Sequence, residues 1–299
     1  MPLSAVYARF RSRRRGFTAI ELLVIFVILL LLLSIFIPFI RKTRETDHRV
    51  RCQSNLRAIG QALSKYAKSN GGTYPRVVAD AAGTNFPGYF AYTGPYADNP
   101  FAGDGRVSAN DVTASLFLLI RQGYATPDLF VCPSTGDVPD PLTGPDAKFA
   151  PPESRSNFKR ARNLSYSYAN PFGRAPGYRL DEYRDAVFVL MADRNPGKAD
   201  QSDVTAPPFD AKALDMARAN STNHRRAGQS VLYADIHVEF RSSPYAGVGG
   251  DNIYTALSPT PLPEQPQPNL TANGVLGREF SPAWKFDSYL VPVEGEDRP

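Results

Sequence analysis

The sequence lacks the short motifs that mark the common catalytic sites. It contains no G-x-S-x-G, no H-E-x-x-H and no phosphate-binding glycine loop. This excludes the serine hydrolases, zinc proteases and P-loop nucleotide hydrolases that depend on those motifs, and no internal repeat is present either. We therefore predict that the protein is not an enzyme and needs no cofactor.

Cysteine is also scarce, since Cys52 and Cys132 are the only two in 299 residues. A disulfide is chemically permitted if this part of the chain is exported. The two residues are far apart in the sequence, so the sequence leaves open whether they pair. Two lone cysteines argue against a metal site built on them.

Acidic residues are absent from the first 16 residues, which hold five arginines: Arg9, Arg11, Arg13, Arg14 and Arg15. These arginines account for the whole formal charge of +5. The basic balance therefore gives no reason to expect nucleic acid as a partner. Positive flanks stay on the cytoplasmic side of a membrane, so the chain after Ile40 is predicted to lie outside the cytoplasm.

A long apolar run follows the arginines. From Phe17 to Ile40 there are 24 residues, nearly all apolar, and about 20 suffice to cross a bilayer core as a helix. The run therefore predicts a transmembrane helix. Glu21 lies inside it, where an ionised carboxylate costs several kcal/mol unless it has a partner.

The segment around Glu21 resembles the type IV prepilin signature, which occurs in type IV pilins and in the pseudopilins of type II secretion systems. The matching residues are Arg13-Arg14-Arg15-Gly16, Phe17-Thr18-Ala19-Ile20-Glu21-Leu22-Leu23 and the apolar run with Pro38. The resemblance implies that a prepilin peptidase cuts between Gly16 and Phe17 and that the new N-terminal Phe17 is N-methylated. The implied partners are that enzyme, other pilins or pseudopilins, and an inner-membrane assembly platform. The new ammonium and the Glu21 carboxylate of a neighbouring subunit could neutralise one another in a filament core.

Two other interpretations of this segment are a secretory signal peptide and an uncleaved anchor. A secretory signal has an apolar region of about 7–15 residues with its cleavage site beyond that region. Here the apolar region is longer, and Gly16 precedes it. An anchor explains the length and the arginines but gives Glu21 no role.

The helix should continue beyond the apolar run. An apolar stripe at helical spacing predicts a second, soluble half that ends at Asn70-Gly71-Gly72, with a kink or local melting at Pro38. The stripe consists of Cys52, Leu56, Ile59, Leu63 and Tyr66. The expected fold class is α+β and pilin-like, with a long N-terminal helix whose transmembrane first half leads into a soluble half packed on an antiparallel β-sheet domain with long loops.

The expected divisions of the chain are a leader, two helix halves, one domain and a tail. They cover residues 1–16 (leader), 17–40 (transmembrane and filament-core helix), 41–72 (soluble half of the helix), 73–256 (extracytoplasmic α+β domain) and 257–299 (proline-rich segment and tail). Within the domain, Asp111 or Asn110 could cap a helix from Val112 to Gln122.

Strand signals are concentrated late in the chain. Alternating or apolar runs predict strands at 165–169 and 186–191, a hairpin from 231–233 and 238–240, and a strand end at 129–132.

A second resemblance, to large prepilin-like proteins abundant in planctomycetes, covers residues 223–238, with Cys52-Gln53-Ser54-Asn55 and Val131-Cys132-Pro133-Ser134. Its usual Asp-Gly-His is Asp235-Ile236-His237 here, which puts the tight turn in question. His224, Asp235 and His237, with Asp193, could bind zinc or support general-base chemistry. We favour turn and strand roles for Asp235 and His237, because no nucleophile motif accompanies them.

Calcium is a further candidate ligand. Asp98 and Asp104, with nearby Asn99, Asn110 and Asp111, supply oxygen atoms, and bound calcium occurs among major pseudopilins. The spacing does not fit an EF-hand loop, and Asx residues beside glycine are commonly turn formers.

Two classes of function, structural subunit and tethered domain, follow from these patterns. The leading hypothesis is a prepilin-like structural subunit, processed at Gly16, that assembles into a type II secretion-like pseudopilus and begins as a single-pass bacterial inner-membrane protein with a periplasmic domain. The alternatives are a membrane-tethered ligand-binding or enzymatic domain that does not polymerise, and a type IV pilin for adhesion or DNA uptake. Substitution of Glu21 separates the assembling proteins from the tethered one.

Overall fold

The computed structural model describes residues 16–80, 99–102, 107–144, 148–173, 175–197, 207, 210–256, 282 and 284–291. The chain divides into two compact units, Met1–Arg44 and Glu45–Pro299. The second unit holds the sheet and the hydrophobic core.

Helix α1 covers Ala19–Ser69 and is not interrupted at Pro38. Its first turn is closed by a capping box, in which the backbone N–H and Oγ1 of Thr18 donate to Glu21 Oε2 at 2.7 and 2.9 Å. Its last turn ends where Gly71 and Gly72 take positive φ values of 64° and 81°. The predicted stripe from Cys52 to Tyr66 is buried, so this part of α1 packs on the core of the second unit.

The predicted transmembrane half of this helix is wrong. No helix among the described residues has the length and apolar character that a membrane crossing demands. The apolar part of α1 includes the carboxylate of Glu21, and a bilayer core requires about 20 apolar residues. The fold class with a transmembrane helix, and the single-pass inner-membrane location derived from it, are corrected accordingly.

A five-stranded antiparallel sheet forms the centre of the second unit. Its strands are β1 Tyr166–Ala169, β2 Val189–Asp193, β3 Gln229–Tyr233, β4 Val238–Arg241 and β5 Leu290–Val291. They lie in the order β4-β3-β2-β1-β5. β1, β2 and β3 are buried throughout, because α1 and the long loops cover the sheet.

Helix α2 covers Val112–Arg121, and Asp111 caps it by accepting a hydrogen bond from the Ala114 N–H at 2.8 Å. A short third helix, α3, covers Ala213–Ala219. The predicted strand end at 129–132 is wrong, because Pro127–Phe130 forms a 3-10 helix. Proline at its first position favours a helical start, and the buried Phe130 ring packs edge-on against Phe158 at 5.3 Å.

The hairpin between β3 and β4 turns through Ile236. This residue has φ 71°, a left-handed conformation that glycine adopts at much lower cost than a β-branched side chain. The tight turn therefore forms even though isoleucine occupies the position where the resembling proteins have glycine.

Candidate functional site

Two cysteines join α1 to the loop that follows the 3-10 helix. Cys52 and Cys132 form a disulfide with a Cα–Cα distance of 5.3 Å, and both residues are fully buried. Beside this bond, the Asn55 side-chain amide donates to the Val131 carbonyl at 3.0 Å. These contacts fix the middle of α1 to the second unit.

A left-handed turn brings His224 to the disulfide. His224, Arg225 and Arg226 have φ values of 54°, 56° and 61° in the short segment Asn223–Arg226. Consecutive left-handed residues other than glycine are uncommon, and each costs roughly 1–2 kcal/mol. The surrounding packing must therefore hold the turn in place, and its effect is to bury the His224 imidazole completely.

The two nitrogens of His224 face different groups. Nδ1 lies 2.7 Å from Glu45 Oε1. Nε2 lies 3.4 Å from Asp193 Oδ2 and 3.6 Å from Cys132 Sγ. The ring also packs edge-on against Phe240, with 5.7 Å between the ring centroids. The imidazole thus has one nitrogen directed at a carboxylate of α1 and the other at the disulfide and the end of β2.

Asp193 ends β2 and is fully buried. It accepts hydrogen bonds from the Ser230 backbone N–H at 2.6 Å and from the Asn223 side-chain amide at 3.0 Å. Burial raises the pKa of Asp193, against the opposing effects of His224 and of these hydrogen bonds. The carboxyl group is therefore held in a fixed orientation beside His224 in a fully buried site.

Glu45 lies two turns before Cys52 on α1 and is partly exposed. It accepts a hydrogen bond from Ser134 Oγ at 2.9 Å and is 3.7 Å from the Arg49 guanidinium. Burial alone would raise the pKa of Glu45, but the hydrogen bonds from His224 and Ser134 and the charges of His224 and Arg49 together lower it. Glu45 is thus a stable anion that can hold a proton on His224 Nδ1.

The central donors form one compact group. One ligand atom each from Cys52, Cys132, Asp193 and His224 lies within 4.8 Å of the others, and all four residues are buried. Within the described part of the chain, this is the one such group of three or more metal-ligating side chains. Two sulfurs, an imidazole and a carboxylate can coordinate a metal when the cysteines are reduced, or close a disulfide when they are oxidised.

The other predicted metal candidates lie elsewhere. Asp235 and His237 flank Ile236 in the β3–β4 turn, where their side chains bond to each other while remaining about half exposed, at 45% and 47%. The His237 ring stacks on Tyr233, with centroids 4.2 Å apart. Of the residues named for the predicted calcium site, Asp98 and Asp104 lie outside the described residues, whereas Asp111 caps α2 and Asn99 accepts a hydrogen bond from the Phe101 N–H.

The predicted processing and assembly residues lie in the first unit. Gly16 and Phe17 precede α1 in an exposed, non-helical segment, and Phe17 is 79% exposed. Glu21 belongs to the capping box at the start of α1. The backbone of Pro38 is part of helix α1.

Sequence reasoning missed Glu45 and did not connect the cysteines with His224. One signal was present, because Glu45, Arg49 and Cys52 recur at helical spacing and therefore share a face of α1. The contact between Glu45 and His224 spans 179 residues of sequence, however, and no local pattern indicates it.

Comparison with protein-family models, curated proteins and solved structures finds no significant match to this chain.

Proposed function

We propose that this chain is a prepilin-like structural subunit that assembles with copies of itself, or with related subunits, through the apolar N-terminal part of α1. In this proposal a prepilin peptidase cuts after Gly16 and methylates Phe17. The assembly is a filament of the type II secretion-like kind.

The observation that carries the proposal is the apolar surface formed by Phe17 and by the part of α1 that belongs to the first unit. Fourteen large apolar side chains are between 45% and 79% exposed. They are Phe17, Ile20, Leu22, Leu23, Val24, Ile25, Phe26, Val27, Ile28, Leu29, Leu30, Leu31, Leu32 and Leu33. A helix that is apolar on all sides is stable only when something covers it, and exposed apolar patches of this extent mark interaction surfaces. A second copy of the same segment is a cover of matching length and chemistry.

The start of the segment supports processing and pairing. The Gly16–Phe17 bond lies in an exposed, non-helical stretch, which is the form in which a peptidase can bind it. The hydrogen bonds from Thr18 lower the pKa of Glu21, so its carboxylate is ionised at neutral pH. An ammonium on Phe17 of an adjacent copy would neutralise that charge when both are buried.

The capping box gives Glu21 a second, purely local role, and the test must separate the two. Glutamine can replace glutamate in a capping box, so Glu21→Gln keeps the cap but removes the charge. We therefore compare Glu21→Gln with Asp47→Asn, which removes an exposed α1 carboxylate paired with Arg51. Each chain carries a photo-cross-linking phenylalanine in place of Ile28 and is produced together with a prepilin peptidase.

The wild type and Asp47→Asn should yield chains that begin at methylated Phe17 and a ladder of cross-linked copies. Glu21→Gln should be cleaved but should lose the ladder. Mass spectrometry of the N-terminus and gel analysis of the cross-links report the two steps separately. Chains that still begin at Met1 would contradict the processing step, and a normal ladder in Glu21→Gln would contradict the charge-pairing basis of assembly.

A further inference from the structure

We propose that the buried cluster of Cys52, Cys132, Asp193 and His224 binds one Zn²⁺ when the two cysteines are reduced. Either the disulfide or the zinc ion then links α1 to the segment that contains Cys132. This inference does not depend on the proposed filament function, since all four residues belong to the second unit.

The donor distances already approach those of a tetrahedral zinc site. Ligands at about 2.0–2.3 Å from zinc are about 3.3–3.8 Å from one another in a tetrahedron. His224 Nε2 is 3.4 Å from Asp193 Oδ2 and 3.6 Å from Cys132 Sγ. The two sulfurs are bonded to each other and so are too close for two zinc ligands, and reduction allows them to separate.

Glu45 prepares His224 to act as a ligand. When Nδ1–H donates to the Glu45 carboxylate at 2.7 Å, the Nε2 lone pair faces Asp193 and Cys132. A carboxylate on the far nitrogen is the usual outer partner of a metal-bound histidine, and it fixes both the tautomer and the ring orientation. Asp193 is held in the same way by Ser230 and Asn223.

A disulfide by itself does not account for this arrangement. It needs no histidine, no buried carboxylate and no left-handed turn, and each of these carries a cost in free energy. Zinc uses all of them, because its charge compensates the buried Asp193 and the two thiolates. The turn at His224 then has the purpose of placing a fourth donor opposite the cysteines.

Conversion of the disulfide form to the zinc form begins with reduction. A dithiol reductant supplies two electrons and two protons, which break the Sγ–Sγ bond and give two thiols, while the dithiol becomes its own disulfide. Zn²⁺ then displaces both thiol protons to solvent and accepts electron pairs from the two thiolates, from His224 Nε2 and from one Asp193 oxygen. The bound group carries one net negative charge.

Zinc uptake tests the proposal directly. The full chain, kept in solution with a mild detergent, is reduced with excess dithiol, supplied with one equivalent of Zn²⁺ and desalted under reducing conditions. We expect one zinc per chain, and Co²⁺ in place of Zn²⁺ should give thiolate-to-cobalt charge-transfer bands with intense tetrahedral d–d bands. The oxidised chain should retain no metal. Reduced wild type that retains no zinc, folded or not, would overturn the proposal.

Variants locate the metal. His224→Gln removes a ligand, and His237→Gln is its matched control, since His237 pairs with Asp235 in an exposed turn. We expect His224→Gln to lose stoichiometric zinc and His237→Gln to keep it. Glu45→Gln retains all four ligands and should weaken zinc affinity about 10–100-fold. Equal zinc binding by wild type and His224→Gln, or a cobalt spectrum without thiolate bands, would place the metal elsewhere and contradict the assignment.

Discussion

Two histidine–aspartate pairs in this protein have the same chemistry but opposite surroundings. His224 and Asp193 are fully buried next to each other, and His224 also contacts Cys132 of the disulfide and Glu45. His237 and Asp235 are about half exposed in the β3–β4 turn and bond mainly to each other. The residue types alone therefore do not indicate a functional site. The first pair differs in being buried, in lying next to the two cysteines, and in having further hydrogen-bond partners that hold both side chains in place.

The largest expected difference concerns stability. His224→Ala removes the buried imidazole that lies 3.4 Å from Asp193 Oδ2 and 2.7 Å from Glu45 Oε1, and breaking a buried pair of this kind costs about 3–5 kcal/mol. His237→Ala changes an exposed pair and should alter the free energy of unfolding by about 0.5 kcal/mol or less. Urea unfolding of both oxidised variants at neutral pH measures the two values. Similar decreases in the free energy of unfolding for the two substitutions would contradict the proposed difference between the two pairs.

A smaller effect is expected from Gly60, which lets the exposed turn approach α1. A Cβ at Gly60 would lie 2.9 Å from Leu232 Cδ1 and 3.0 Å from Ile236 Cγ2. Gly60→Ala should therefore destabilise the protein by about 1–2 kcal/mol, despite the better helix propensity of alanine. Zinc uptake by the reduced chain should stay at one per chain, because the crowding falls beside His237 and not beside His224. If Gly60→Ala were more stable than the wild type, the β3–β4 turn would have to move away from the new Cβ without lowering the free energy of unfolding.

The pH dependence of two carboxylates should have opposite signs. Burial, and then the charge of Asp287, raise the pKa of Asp251 well above its usual range. Its stabilising contribution is complete below about pH 3.9, the unfolded value, and is lost as the pH rises through the folded pKa. Asparagine does not titrate, so Asp251→Asn should not show this loss. The stability of the variant relative to the wild type should therefore increase as the pH rises from about 4 to 8.

Asp235 provides the opposite case and the smallest effect. Slight burial would raise the pKa of Asp235, but the hydrogen bonds and charge of His237 outweigh it and lower the pKa. Its contribution is present above the unfolded pKa and is lost as the pH falls through the folded one. Asp235→Asn should therefore be slightly less stable than the wild type at neutral pH and equal to it in strong acid. Parallel pH profiles of either variant with the wild type would refute the corresponding assignment.

Local patterns predicted the elements whose causes are local. The helical stripe of α1, the Asp111 cap of α2 and the β3–β4 hairpin follow from spacing and turn chemistry, and the structure has each of them. The predicted transmembrane half was wrong, since no helix among the described residues is long and apolar enough to cross a membrane.

The candidate site could not be predicted from local patterns. It joins α1, the segment after the 3-10 helix, the end of β2 and a left-handed turn, so its residues meet only through the tertiary fold. His224, Arg225 and Arg226 carry positive φ without glycine, and no sequence rule anticipates that.

X-ray absorption at the zinc edge of the reduced, zinc-loaded full chain tests the central contrast between the two pairs most directly. We predict two sulfur neighbours at about 2.3 Å and two nitrogen or oxygen neighbours at about 2.0–2.1 Å, as the buried cluster requires. The spectrum of His237→Gln should be identical to that of the wild type. A zinc shell of nitrogen and oxygen alone, which the exposed pair could supply, would contradict the account.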